Sequence, residues 1–171
     1  GRAPVAHVRH SLGALIAIDL ARHLGTHAGL SPAVLAVSSC RSPARVADRD
    51  ALHHMPDQQM IDTLVRDDGQ GAETSAEELE MMHCLVKTIR ADLKLLETYQ
   101  YQPGPPLTCP IVALSATEDR QVTRAEVAGW RNQTSGHFTL RTMPGHHFYL
   151  RDQDAAIARL VARKITAVTG T

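Results

Sequence analysis

The chain has no excess of charge of either sign, no long apolar run, and too few cysteines for a disulfide framework. Eighteen basic residues offset eighteen acidic ones, so no overall field draws it to nucleic acid or to an anionic membrane. Ten histidines would add positive charge only below neutrality. No segment approaches the roughly 18 to 20 continuous apolar residues that cross a bilayer, and no leader pattern opens the chain. Cys40, Cys84 and Cys109 are odd in number, widely spaced and without a C-x-x-C pair, which fits free thiols and a cytoplasmic protein. Internal repeats and low-complexity tracts are absent too, and no H-E-x-x-H pattern organises the pairs His53-His54 and His146-His147 or the i, i+4 pair His23 and His27. No metal site is expected.

What is present is one core's worth of chain, 171 residues with 43% hydrophobic content and no composition shift, hence a single domain over 1–171. The most informative segment is Pro4-Val5-Ala6-His7-Val8-Arg9-His10-Ser11-Leu12-Gly13. A partly apolar strand stops at a serine and an Ala/Leu/Ile-rich helix begins, which is the layout of a nucleophile elbow. Gly13 supplies the small residue expected two positions after the serine, whereas Arg9 stands where another small residue is expected two before it. Arg9 must therefore point outward or distort the turn. The chain opens on Gly1 rather than methionine and enters the elbow strand within a few residues. That predicts a piece of something longer, with N-terminal strands missing.

Gly13, Ala17, Leu20, Ala21 and Leu24 share a face of a helix that Gly25 is placed to end. Val34 to Val37, Ile111 to Leu114 and Phe138 to Met143 read as further strands, the first two continuous enough to be covered on both faces. A last helix places Ile157, Leu160, Val161, Ile165 and Val168 on one side. Strands alternating with helices predict an α/β fold with a parallel sheet covered on both faces. Between the second and third strands, residues 40–108 show no strand pattern. Helices are expected over Asp57 to Arg66, Ser75 to Cys84, where Ser75-Ala76-Glu77-Glu78 forms a capping box, and Leu85 to Tyr99. Asp67 to Gly71 reads as a loop and Gln102 to Pro106 as the return linker. Such a helical excursion from a sheet is expected to serve as a lid.

Candidate chemistry follows the strands. A serine hydroxyl needs a base to take its proton, and the base needs a carboxylate to fix its tautomer. An acid, Glu118 or Asp119, lies in the loop beyond the third strand, and a histidine, His146 or His147, in the loop beyond the fourth. That is the sheet edge where open α/β folds collect ligands, and serine, acid, histidine is the order of the α/β-hydrolases. Spacing alone does not choose within either pair.

An ordered set of motifs does choose. His10-Ser11-Leu12-Gly13-Ala14, Ile89-Arg90-Ala91-Asp92-Leu93 ahead of Tyr99, Cys109-Pro110-Ile111-Val112-Ala113-Leu114, Asp119 with Val122, Gly129-Trp130, and Pro144-Gly145-His146-His147-Phe148-Tyr149-Leu150 occur in that order. Together they resemble the type II thioesterases that accompany nonribosomal peptide and polyketide synthetases, from about Pro4 to the final helix. The resemblance implies an α/β-hydrolase-like sheet, with Ser11 as nucleophile, Asp119 as acid and His147 as base, and the segment around Arg90 in a helical lid. It implies hydrolysis of acyl thioesters carried on the phosphopantetheine arm of acyl or peptidyl carrier proteins, with no cofactor of the chain's own. The backbone N-H of Leu12 would serve as one oxyanion donor, relatives drawing the other from a loop upstream of the elbow. A monomer is expected. Two other readings keep the ancestry and change the activity. One is a catalytically impaired homologue that only binds carrier or synthetase surfaces; the other is a serine esterase or terminal thioesterase acting on a different acyl substrate.

Overall fold

A computed structural model describes residues 5–46, 51–68 and 74–170. Four strands, β1 (Ala6–His10), β2 (Val34–Ser38), β3 (Ile111–Ala116) and β4 (Phe138–Met143), form one sheet in the order β1-β2-β3-β4. All neighbours are parallel, with Val8 opposite Ala36, Ala36 opposite Val112, and Val112 opposite Thr139. Six α-helices accompany them among the described residues: α1 (Leu12–Ala28), α2 (Asp57–Asp68), α3 (Ala76–Cys84), α4 (Val86–Glu97), α5 (Arg124–Ala128) and α6 (Asp154–Thr169).

Strand alternation sorts the core into two layers. Leu35, Val37, Ile111 and Ala113 pack with Leu15 and Ile18 of α1, with Val127 of α5, and with Trp130. Val34, Ala36, Val112 and Leu114 turn the other way, onto Ile157 and Val161 of α6 and onto Tyr149. Every residue of β2 and β3 is buried, as their unbroken apolar runs require. The parallel sheet expected from the sequence is thus present, with helices on both faces.

Some local expectations are corrected. The first helix does not end at Gly25; it runs 17 residues to Ala28 and stops where Gly29, at φ 60°, adopts the left-handed conformation that a glycine enters without strain. Its buried stripe is Ala14, Leu15, Ala17, Ile18 and Ala21, a fit to 3.6 residues per turn that leaves Leu20 exposed. Asp67 and Asp68, expected in a loop, complete α2, while residues 69–71 of that loop lie outside the described residues. Thr123 and Glu126 form a second capping box that starts α5, a helix the apolar pattern does not reveal.

The excursion between β2 and β3 is helical, as expected. α3 opens on the Ser75 and Glu78 capping box, and Leu85 separates it from α4. Leu52, Met60 and Leu93 give this segment a small core of its own, flanked by Met55, Leu64, Val86 and Ile89.

Candidate active site

The sharp turn from β1 into α1 holds Ser11 at φ 48°, ψ −125°, a conformation L-residues avoid. The Ser11 N-H donates to the Ser38 carbonyl at 2.9 Å, which fixes the turn against the end of β2. A serine ahead of a helix ordinarily caps it with its hydroxyl. Here the side chain makes no capping bond, so Oγ is not committed to the helix. Leu12 opens α1, where N-H groups have no partner within the helix.

Arg9 resolves in favour of the outward orientation. It is exposed at the sheet's edge strand, donates from Nη1 to the Val8 carbonyl at 3.0 Å, and lays its stem over Gly13. A Cβ added at Gly13 would meet Arg9 Cδ at 3.6 Å, an ordinary contact.

Beyond the C-terminal ends of β3 and β4 the four candidate groups separate into two pairs. Asp119 Oδ2 accepts from His147 Nδ1 at 3.0 Å, with the two side chains 0% and 4% exposed. Glu118, 60% exposed, lies 3.7 Å from His146 Nδ1. The first pair is inside the protein and the second at its surface, a distinction invisible to spacing. Asp119 Oδ1 also accepts the N-H groups of Gln121 and Val122, each at 3.0 Å. Burial works to raise the Asp119 carboxyl, but the hydrogen bond and charge of His147, with Ser39 and the Val122 N-H, outweigh it and hold the group below the ordinary carboxylate range. A carboxylate kept ionised there holds the histidine proton on Nδ1 and leaves Nε2 as the ring's basic nitrogen.

Ser11 and His147 line one small cavity with Ser39, Cys40, Arg41, Val46, Leu96 and Val122. Leu96 comes from α4, so the helical excursion reaches the elbow. Of the other histidines singled out in the sequence, His53 pairs with Glu97, and the His23 and His27 rings stack at 4.2 Å.

Sequence reasoning missed the polar groups behind the cavity. Ser38 and Ser39 are fully buried, and Ser39, at φ 43°, is the other non-glycine residue with positive φ among the described residues. Ser38 Oγ bonds the Tyr149 hydroxyl at 2.6 Å and His10 Nδ1 at 3.1 Å. The available signal was a Ser-Ser pair directly after an otherwise apolar buried strand, where polar side chains need partners.

A serine freed from capping beside a buried histidine and carboxylate, on a parallel sheet, is the arrangement of a hydrolase. The family model for the thioesterase domain matches residues 2–165. The chain belongs to the thioesterase domain family. Thioesterase PikA5 of Streptomyces venezuelae is 38% identical over 149 residues, covering 87% of this chain and 52% of that protein. Among solved structures, the type II thioesterase BorB from the borrelidin biosynthetic cluster superposes with a TM-score of 0.83 at 36% identity, covering 96% of this chain and 66% of BorB. RedJ, a thioesterase from the prodiginine biosynthetic pathway in Streptomyces coelicolor, gives 0.81 at 34% identity, over 91% of this chain and 59% of RedJ. This thioesterase domain therefore spans about half to two thirds of the length of these relatives.

Proposed function

We propose that the protein is a type II thioesterase of nonribosomal peptide or polyketide synthesis, and that it hydrolyses acyl groups from the phosphopantetheine arms of carrier proteins. The observation that carries this reading is the buried hydrogen bond between Asp119 and His147, opening on the cavity that Ser11 shares. Ser11 Oγ attacks the thioester carbonyl while His147 Nε2 takes its proton; collapse of the tetrahedral adduct expels the arm's thiolate, which receives that proton. Water, deprotonated by the same histidine, then cleaves the acyl-serine and releases the acid. The Leu12 N-H is one donor to the oxyanion. Asp119 stays ionised throughout and stabilises the imidazolium. Serine chemistry of this kind draws on no metal or diffusible cofactor, the pantetheine belonging to the partner.

Residues 1–171 are read as one domain, with residues 40–108 as a lid inserted into it. Leu96 and Val46 lining the cavity support that role. No helix of the described residues is long and apolar enough to cross a membrane, and action on carrier domains of cytoplasmic synthetases is the setting proposed. A monomer acting on carrier proteins, with no nucleic acid, completes the reading.

The test is acyl-enzyme formation. Incubated with acyl-loaded carrier protein, the parent protein should show a mass adduct on the peptide carrying Ser11. Ser11→Ala should show none and should lose at least about three orders of magnitude in turnover. An Ser11→Ala protein as fast as the parent ends the assignment. A folded parent that binds carrier protein without forming any adduct would make it a binding homologue, and preference for free esters over carrier thioesters would move it to the esterases.

A further inference from the structure

His10 sits between the two groups that the proposed chemistry must bring together. It precedes Ser11 on β1, and its ring lies against the His147 ring with centroids 4.9 Å apart and planes inclined by 62°. Its Nδ1 meets Ser38 Oγ at the end of β2, and Ser38 Oγ meets the Tyr149 hydroxyl in the turn that carries His147. One side chain thus touches the elbow strand, its neighbour strand and the histidine loop. Tyr149 is itself firmly placed: 2% exposed, its N-H bonded to the His146 carbonyl at 3.2 Å, and its Cβ 3.0 Å from where a Cβ on Gly145 would stand.

The groups of this chain stay neutral. Burial pushes the Tyr149 hydroxyl up to about 12, so it stays protonated, and either hydroxyl of the pair formed by Ser38 and Tyr149 can donate. The bond between His10 Nδ1 and Ser38 Oγ can form in either tautomer of the neutral ring, whose Nε2 is buried without a hydrogen-bond partner among the described residues. Burial, and next the neighbouring His147, push the His10 imidazole down to about 4 against a smaller pull from Asp119. A neutral ring in this place leaves His147 free to take a proton beside it, whereas a cation at this distance would oppose it.

We propose that His10 is a positioning residue, tied through Ser38 to Tyr149, that braces the His147 ring at the nucleophile elbow. It touches neither substrate nor the transferred proton. This rests on the assignment of His147 as the base.

Two variants separate bracing from mere filling. His10→Ala removes the ring; His10→Phe keeps an aromatic ring of similar size, and the bond between Ser38 and Tyr149 can persist in it. His10→Ala should lower kcat on acyl-carrier protein on the order of tenfold to a hundredfold, with KM nearly unchanged. It should also lose the downfield NMR resonance of the His147 Nδ1 proton. His10→Phe, which keeps the bulk of the ring but has no Nδ1 for Ser38, should recover only part of kcat and stay several-fold below the parent. Unchanged kcat and resonance in folded His10→Ala overturns the proposal, and so does a His10→Phe protein with the kcat and resonance of the parent, which would make the ring mere filling. Should His10→Ala fail to fold, Tyr149→Phe decides: the proposal expects a several-fold fall in kcat at constant KM, and no change defeats it. The resonance requires no substrate. A parent protein without thioesterase activity would sink the proposed reaction while the resonance still decides whether His10 braces His147.

Discussion

Ser11 owes its availability to backbone strain. The elbow conformation costs on the order of 1 to 3 kcal/mol and is held by the bond to Ser38 and by the packing of α1 beneath it. Arg9 is exposed and its side chain runs over Gly13, where a Cβ would stand 3.6 Å from Arg9 Cδ. Arg9→Gly is therefore expected to change turnover by no more than about threefold, a comparison that steady-state kinetics on the two proteins will decide. His10 has a consequence for stability as well as for position. Its folded-state pKa, about 4, lies below the unfolded value of 6.5, so between these the unfolded chain holds the extra proton. Its contribution is complete above pH 6.5 and falls as pH drops toward 4. His10→Phe should flatten the loss of unfolding free energy across that window by up to about 1.4 kcal/mol per pH unit, as urea titrations at stepped pH would show. A parallel shift with unchanged slope would mean that His10 does not stay neutral in the folded state.

At the scale of elements, the question is what holds the helical excursion over the sheet. α4 is pinned at its C-terminal end by Glu97, whose side chain is 3% exposed and bonds the N-H groups of Leu52 and His53 and the His53 ring. Arg90, about two turns earlier on the same face, donates to the His53 carbonyl and to Asp57 at the start of α2, each at 2.5 Å. These bonds join the entry of the excursion to its last helix, on the same helix that brings Leu96 to the cavity. Glu97→Ala strands the two N-H donors and the His53 ring, all part-buried, and should cost about 2 to 4 kcal/mol. Hydrogen exchange should accelerate over residues 51–68 and 86–97 and stay slow in β2 and β3. Faster exchange throughout would instead mean that the excursion and sheet unfold as one unit. Glu97→Gln, which retains an acceptor oxygen, should recover part of the loss.

At the largest scale, the described residues form a four-stranded parallel sheet with its two inner strands buried on both faces and β1 and β4 at its edges. Trp130, the one tryptophan, is fully buried among α1, α5 and the sheet and donates from Nε1 to the Cys40 carbonyl at 2.8 Å. It links the layer beneath the elbow to the cavity wall, because Cys40 lines the cavity. Trp130→Phe removes both volume and that hydrogen bond, and should lower global stability by about 2 to 4 kcal/mol. Circular dichroism in urea measures this; a loss below about 0.5 kcal/mol would show that the layer repacks freely.

Composition and periodicity alone determined the fold class. β2 and β3 were legible because unbroken apolar runs can be satisfied only between two layers, and the final helix because its apolar stripe has one period. The elbow and the order of serine, acid and histidine were legible for a related reason, since parallel strands place successive loops at one edge. Where α1 ends was not, because a glycine's capping role depends on its φ, which Gly29 rather than Gly25 supplies. Spacing could not choose within Glu118 and Asp119 or within His146 and His147; the resemblance pointed to Asp119 and His147, while the burial of that pair and the exposure of Glu118 appear only in the folded chain. The contacts of His10, Ser38 and Tyr149 likewise join positions up to 111 residues apart, and only the folded chain brings them together. Ser11 could be named from its neighbours along the chain; its freedom from the helix cap and its place on a cavity shared with the buried His147 were decided by tertiary structure.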